Sequence, residues 1–130
     1  MKLTPQRKKG NIGEEYAAKY LKKQGYKILG RNYLKPYGEI DIIASYREYI
    51  VFVEVKTRHE NSVIAGTQAV NRIKQQRIIK AASSFYSENK LDCNCRFDVC
   101  EVIIDAEKLK PIKCIHIKNA FMQEGDYAPL

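Results

Sequence analysis

Two neighbouring segments decide the fold of this chain: residues 39–44, EIDIIA, and residues 50–56, IVFVEVK. The second segment is the most apolar of the chain, and its β-branched and aromatic residues are typical of a buried, central strand. The short polar link between them, residues 45–48, predicts a hairpin. We therefore expect two antiparallel strands in the middle of a sheet.

Helix and strand patterns extend on both sides of this hairpin. A helix is predicted over residues 13–24, where apolar residues recur near the helical period, and a strand over residues 26–32. Asn11 is placed as the N-cap of the helix, with Glu14 reaching back to its backbone amide as in a capping box. This capping role gives Glu14 a structural explanation that stands beside any functional one.

After the hairpin, the longest helix is predicted from Thr67, a good N-cap, to Asn89. Its expected core side chains are Val70, Ile73, Ile78, Ala81, Ala82 and Phe85. Strands follow at residues 96–104 and 112–118, before a polar tail over 119–130. The predicted fold is α/β, a mixed sheet flanked by helices in the order α-β-β-β-α-β-β, forming a single domain over 1–130 with its core at about 10–118.

Composition narrows the function classes. The chain carries 23 Lys and Arg against 15 Asp and Glu, a formal net charge of +8, which favours a polyanionic partner such as nucleic acid. The longest apolar run is only residues 49–53, so no membrane-spanning helix is expected. The N-terminus lacks the apolar stretch of a signal peptide, and the four cysteines have no zinc-knuckle spacing. We expect a cytoplasmic protein with reduced thiols.

Acidic residues interrupt two otherwise apolar predicted strands, Asp41 in the first and Glu54 in the second. Side chains alternate along a strand, so Glu54 and Lys56 share one face. Burying such charges is costly unless each has a partner, and Asp41 on the neighbouring strand is the expected partner. With the turn near residues 46–47, residue 41 is predicted to lie roughly opposite Phe52, which leaves Glu54 within diagonal reach of Asp41 or Glu39.

Two carboxylates held close together repel each other unless they share a proton or bind a cation. In a protein that binds phosphate groups the cation is favoured, and Mg²⁺ prefers oxygen ligands. Asp41 and Glu54, together with the backbone carbonyl of Val55, would form such a site. An ordinary ion pair between Glu54 and Lys56, with Asp41 on an exposed face, is the structural alternative.

The order of these residues resembles the D-(x)n-E-x-K signature of restriction-endonuclease-like (PD-(D/E)xK) nucleases, a superfamily that includes Holliday junction resolvases. It is similar, more specifically, to the YraN-like family of small bacterial proteins. The resemblance spans about residues 10–104. It is carried by GE at 13–14, LGRNY at 29–33, GEIDIIA at 38–44, FVEVKTR at 52–58 and RFDV at 96–99.

The resemblance implies a metal-dependent endonuclease. Asp41 and Glu54 would bind Mg²⁺ or Mn²⁺, Lys56 would orient or activate the attacking water, and Glu14 would assist. The basic residues expected to contact the nucleic-acid backbone are Arg31, Arg58, Lys74 and Arg77. The expected substrate is DNA, branched or otherwise structured, and a homodimer is expected by analogy with the superfamily. A non-catalytic DNA-repair or recombination accessory protein and an RNA-processing enzyme remain the alternatives.

Overall fold

The computed structural model describes residues 5–61 and 70–122. The described residues contain two helices and five strands in the order α-β-β-β-α-β-β, which confirms the predicted fold class. The elements are α1 (Pro5–Lys23), β1 (Lys27–Lys35), β2 (Gly38–Tyr46), β3 (Tyr49–His59), α2 (Arg72–Asn89), β4 (Asn94–Ile104) and β5 (Pro111–Phe121). Neither described helix is long and apolar enough to cross a membrane.

The five strands form one mixed sheet in the order β1-β2-β3-β4-β5. Strands β1, β2 and β3 are antiparallel neighbours, β3 pairs with β4 in parallel, and β5 returns antiparallel to β4. A parallel pair needs a crossover connection, and α2 lies on that connection. The apolar strand β3 is therefore central, as its composition predicts.

The helices cover opposite faces of the sheet and make a three-layer fold. Alternation along β3 sends Val51 and Val53 to the α1 side, and Ile50 and Phe52 to the α2 side. The helices contribute small and aliphatic side chains to these two cores: Ala17, Ala18 and Leu21 from α1, and Ile78, Ala81 and Ala82 from α2. Each face of the sheet is thus buried by one helix.

Two glycines let the helices approach the sheet closely. A Cβ atom added to Gly13 in α1 would lie 1.9 Å from Oγ1 of Thr57 in β3. A Cβ added to Gly38 in β2 would lie 2.4 Å from the backbone oxygen of Arg77 in α2. Both distances are far below van der Waals contact, so only glycine fits at either position. Each glycine directly precedes a glutamate, Glu14 or Glu39, and the charge of Glu39 contributes to the raised pKa of Glu14.

The predicted N-cap at Asn11 is wrong, because α1 already includes Pro5 and runs through Asn11. Proline is tolerated in the first turn of a helix, where its missing N–H would have no partner. Glu14 therefore lies in the helix interior and has no capping role there. Its side chain is free to interact with the sheet.

Helix α2 also differs from its predicted start. It begins at Arg72 with Asn71 as N-cap, whose side chain accepts a hydrogen bond from the Lys74 amide at 2.9 Å. The predicted N-cap Thr67 lies outside the described residues. Ile73 was expected in the core but is 68% exposed, because it lies five residues before Ile78 and so on another side of the helix.

Register and strand ends are the remaining corrections. The hairpin turn lies at Arg47 and Glu48, so β2 pairs with β3 as Ile43 with Phe52 and Ile42 with Val53. The prediction that residue 41 lies opposite residue 52 is therefore wrong by two residues. Strand β5 continues to Phe121, which is 8% exposed, so residues 119–121 belong to the sheet and not to a polar tail.

Candidate active site

The ladder between β2 and β3 ends at the acidic residues. Its last pair is Ile42 with Val53, and one step further the carboxylate of Asp41 accepts a hydrogen bond from the Val55 amide at 2.8 Å. The alternation of β2 also breaks here, since Ile40 packs on the α2 side and Ile42 on the α1 side. The Asp41 carboxylate thus takes the place of a backbone acceptor for the Val55 amide of β3. The break in alternation turns the Asp41 side chain toward Glu54.

Asp41 and Glu54 are neighbouring carboxyl groups that interact electrostatically. Burial, followed by the charge of Glu54 and the hydrogen bond to it, raises the pKa of Asp41 to about 8. With its pKa raised to about 8, Asp41 holds a proton at neutral pH. Glu54 is only 3% exposed, so both acids lie in a place largely shielded from solvent.

Two lysines contact the same oxygen of Glu54. The Nζ of Lys74 lies 2.7 Å from Oε2 of Glu54, and the Nζ of Lys56 lies 3.6 Å from it. Burial alone would lower the pKa of Lys74, but the hydrogen bond to Glu54 and the charges of Glu54 and Asp41 outweigh burial and raise it. Both lysines therefore bring positive charge to the acidic pair, one from β3 and one from α2.

Val55 presents its carbonyl to the same place. The N–H and C=O of one strand residue point to the same edge of the strand. Since the Val55 N–H points to Asp41 of β2, its carbonyl oxygen also faces the β2 side, beyond the end of the ladder. Two carboxylates and this carbonyl are oxygen ligands of the kind that Mg²⁺ prefers. Among residues 5–61 and 70–122, no three Asp, Glu, His or Cys side chains converge to hold a metal.

Glu14 approaches the pair from α1. Its carboxylate lies 3.8 Å from Arg31, whose guanidinium also donates a hydrogen bond to Glu15 at 2.9 Å. Burial raises the pKa of Glu14, an effect that Arg31 and Asn32 partly offset. The charge of Glu14 in turn contributes to the raised pKa of Asp41. Glu14 therefore acts on the pair electrostatically, while Arg31 is held by acidic residues of α1.

The pair lies on the floor of an open cleft of about 870 Å³ between the β1–β2 hairpin and the first turns of α2. The acidic floor comprises Asp41, Glu54 and Glu39, and the basic wall on α2 comprises Lys74, Arg77 and Lys80. Neither Glu39 nor Lys80 is among the predicted site residues, although the sequence places Glu39 within reach of Glu54 and Lys80 on the basic helix.

Arg58, expected to contact phosphate, is engaged elsewhere. Its Nε and Nη2 donate hydrogen bonds to the two carboxylate oxygens of Glu101 in β4 at 2.7 and 3.3 Å. The side chain of Glu101 is 4% exposed, so this bidentate pair lies inside the fold. Of the four predicted nucleic-acid contacts, the structure brings Lys74 and Arg77 into the cleft, and places Arg31 and Arg58 in ion pairs beside it.

Fold and cleft together define a class: a three-layer α/β protein with a buried carboxyl pair on two adjacent central strands, facing a basic helix. Residues 13–102 match the family described as "Uncharacterised protein family UPF0102". The chain belongs to this family, in agreement with its resemblance to YraN-like proteins.

Relatives match over nearly their whole length. A UPF0102 protein of Caldanaerobacter subterraneus subsp. tengcongensis is 46% identical over 93% of this chain and 100% of its own. A UPF0102 protein of Alkaliphilus oremlandii is 44% identical over 88% of this chain and 98% of its own. A UPF0102 protein of Sulfurihydrogenibium sp. is 41% identical over 89% and 96%.

Proposed function

We propose that this protein is a Mg²⁺- or Mn²⁺-dependent endonuclease that hydrolyses phosphodiester bonds in branched or otherwise structured DNA. One observation carries the proposal: Asp41 and Glu54 lie together on the floor of a cleft whose wall is basic. Two carboxylates held this close repel each other when both are charged, and a bound divalent cation would relieve that repulsion. The net charge of +8 supports a polyanionic substrate.

The residues present fit such a cation. Asp41, Glu54 and the Val55 carbonyl would hold it and leave its other positions to water and phosphate oxygens. When bound, the cation would lower the pKa of a coordinated water and stabilise negative charge on the phosphate. The family resemblance and the oxygen ligands both support this assignment.

The chain's own side chains would do the remaining work. Lys56, whose Nζ lies 3.6 Å from Glu54, would orient or activate the attacking water and balance negative charge on the phosphate. Lys74 and Arg77 line the wall of the cleft and would fix the backbone of the substrate by its phosphates. The negative charge of Glu14, on α1, would help to keep the pKa of Asp41 raised.

The test is cleavage of end-labelled single-stranded, duplex, flap and four-way-junction DNA with Mg²⁺ or Mn²⁺, comparing the wild type with Glu54→Gln. Glu101→Gln is the matched control, because Glu101 is also a buried strand glutamate paired with a cation, yet lies outside the cleft lining. We expect the Glu54 variant to lose at least about 10²-fold in rate. Equal, metal-independent cutting by both variants would reject the proposal.

A non-catalytic accessory protein is the second candidate. It is favoured by the two lysines on Glu54, which already neutralise that carboxylate without a cation. On this hypothesis the wild type binds DNA tightly and in a salt-sensitive way but cuts none of the substrates. Competition between matched DNA and RNA would separate an RNA-processing enzyme from both, and sedimentation would test the homodimer that the resemblance implies.

A further inference from the structure

The mouth of the cleft exposes large apolar side chains. Leu34 is 73% exposed, Ile73 is 68% exposed and Tyr37 is 40% exposed. Leu34 lies near the end of β1, Tyr37 lies in the turn between β1 and β2, and Ile73 lies in the first turn of α2. All three line the cleft whose floor holds Asp41 and Glu54. Single exposed apolar residues are ordinary, but three around one charged cleft form a surface that needs an explanation.

This apolar rim, defined as Leu34, Tyr37 and Ile73, adjoins the basic wall of the cleft. Lys74, Arg77 and Lys80 supply positive charge along the same helix as Ile73. A ligand that fits both surfaces must be anionic along one side and present flat apolar faces on the other. The backbone of an intact duplex offers phosphates and sugars only, because its bases are stacked inside. A strand with unstacked bases offers both surfaces.

Tyr37 is held in place for such a contact. Its hydroxyl is hydrogen-bonded to the hydroxyl of Ser84 on α2, which ties the β1–β2 turn to the helix. A tyrosine fixed at its hydroxyl while 40% exposed presents a ring face without paying for its ordering upon binding. The rim therefore combines a preorganised aromatic ring with two exposed aliphatic side chains.

We infer that the apolar rim binds unstacked bases, and that the substrate is therefore a nucleic-acid strand with unpaired nucleotides beside the phosphate at the acidic pair. This inference rests on the proposed function for the role of the acidic pair, and adds the strandedness of the substrate. Phosphates lie along the basic wall, while the adjoining base contacts Tyr37 and is flanked by Leu34 or Ile73. Discrimination against duplex arises because paired bases do not reach the rim.

The experiment measures binding without cleavage. Fluorescence anisotropy in EDTA compares a labelled single-stranded oligonucleotide of about 16 nucleotides with the fully paired duplex of the same sequence. We expect the wild type to bind the single strand about tenfold more tightly, and Leu34→Ser/Ile73→Ser to reduce that preference to about twofold. Tyr37→Ser should reduce it similarly.

Controls separate apolar contact from charge. Leu29→Ser changes another exposed leucine of β1, 43% exposed and outside the cleft lining, and should bind as the wild type does. Lys80→Gln should weaken binding to both oligonucleotides and lower the salt dependence, whereas the rim variants should leave the salt dependence unchanged. Because Leu34, Ile73, Leu29 and Lys80 are exposed, the melting temperatures of these variants should match the wild type. Tyr37→Ser also removes the hydrogen bond to Ser84, so its binding is compared at a temperature where it is folded.

The outcomes distinguish this inference from the proposed function. Equal wild-type affinity for single strand and duplex, or equal losses on both in the rim variants, overturns the inference even if metal-dependent cleavage is found. Preference for single strands that depends on the rim supports the inference even if no cleavage occurs, in which case the endonuclease proposal fails alone.

Discussion

The carboxylate of Asp41 accepts a hydrogen bond from the backbone amide of Val55, 2.8 Å away, at the point where β2 and β3 stop pairing. This contact ties an acid of one strand to the residue following the acid of the next. It anchors Asp41 against its own repulsion from Glu54, since a backbone donor favours the charged form. This backbone hydrogen bond therefore offsets part of the electrostatic repulsion between the two acids.

Replacing Asp41 by Asn should stabilise the metal-free protein at pH 8. The folded-state pKa of Asp41 is raised from 3.8 to about 8, so the folded state binds a proton that the unfolded state has lost. The free energy of unfolding should therefore fall as pH rises from about 4 to about 8. The total decrease over this range should be smaller by at least about 1 kcal/mol in the variant. Urea unfolding in EDTA at several pH values measures it.

Mg²⁺ provides the complementary measurement for the same variant. Added Mg²⁺ should stabilise the wild type at pH 8, because a cation that binds only the folded state shifts the unfolding equilibrium. Asp41→Asn should lose that stabilisation. A variant that remains as responsive to Mg²⁺ as the wild type would contradict the assignment of Asp41 as a ligand.

Gly13→Ala should destabilise the fold by about 1–3 kcal/mol, because the added methyl group meets the hydroxyl of Thr57. Thr57→Ala in the same chain should recover much of this loss, as a double-mutant cycle would show. Gly10→Ala is the control, since nothing lies within 4 Å of its Cβ position in the same helix, and it should be neutral or stabilising. Chemical denaturation of the four proteins gives the energies. Additive effects of the Gly13 and Thr57 changes would argue against the contact.

Lys74→Gln should raise the affinity of the substrate-free protein for Mn²⁺ by several-fold. Its ammonium group, 2.7 Å from Oε2 of Glu54, repels a cation at that carboxylate. The same variant should bind nucleic acid more weakly, with a smaller salt dependence, because a phosphate contact is lost. Calorimetric titration with Mn²⁺ tests the first effect, with Lys80→Gln as a cleft variant that should leave Mn²⁺ affinity nearly unchanged. Unaltered or weaker Mn²⁺ binding by Lys74→Gln would refute the competition.

Asp98→Asn should cost about 3–5 kcal/mol of stability without changing the cleft. Burial alone would raise the pKa of this fully buried acid, but hydrogen bonds from His116, Arg96 and the Asn119 amide lower it. Those partners lie 2.7 to 3.0 Å away. The depressed pKa means that the acid stabilises the fold above about pH 4 and loses this contribution as pH falls below it. Acid unfolding of the wild type and variant measures the difference, with exposed Asp92→Asn as control.

Much of the architecture follows from local patterns. Period-2 alternation put Glu54 and Lys56 on one face, and the structure confirms that they meet at 3.6 Å. The same reasoning found the element order and the apolar strand β3, because both depend on neighbouring residues alone. Hairpin register was harder, since one residue of turn position moves every pair by two, and the turn at Arg47 and Glu48 decided it.

The amino-acid sequence by itself determined two things: the net positive charge, and an α/β order of elements in which acidic residues interrupt two apolar strands. Only the tertiary structure decided which charges meet. Lys74 reaches Glu54 across 20 positions of sequence, and Arg58 is drawn to Glu101 of β4 rather than to the cleft. Such pairings depend on helix placement and strand order, which are set by long-range packing such as that of Gly13 against Thr57. A local sequence pattern shows which side chains share one face of a helix or strand. It carries no information about which distant residue each of them contacts.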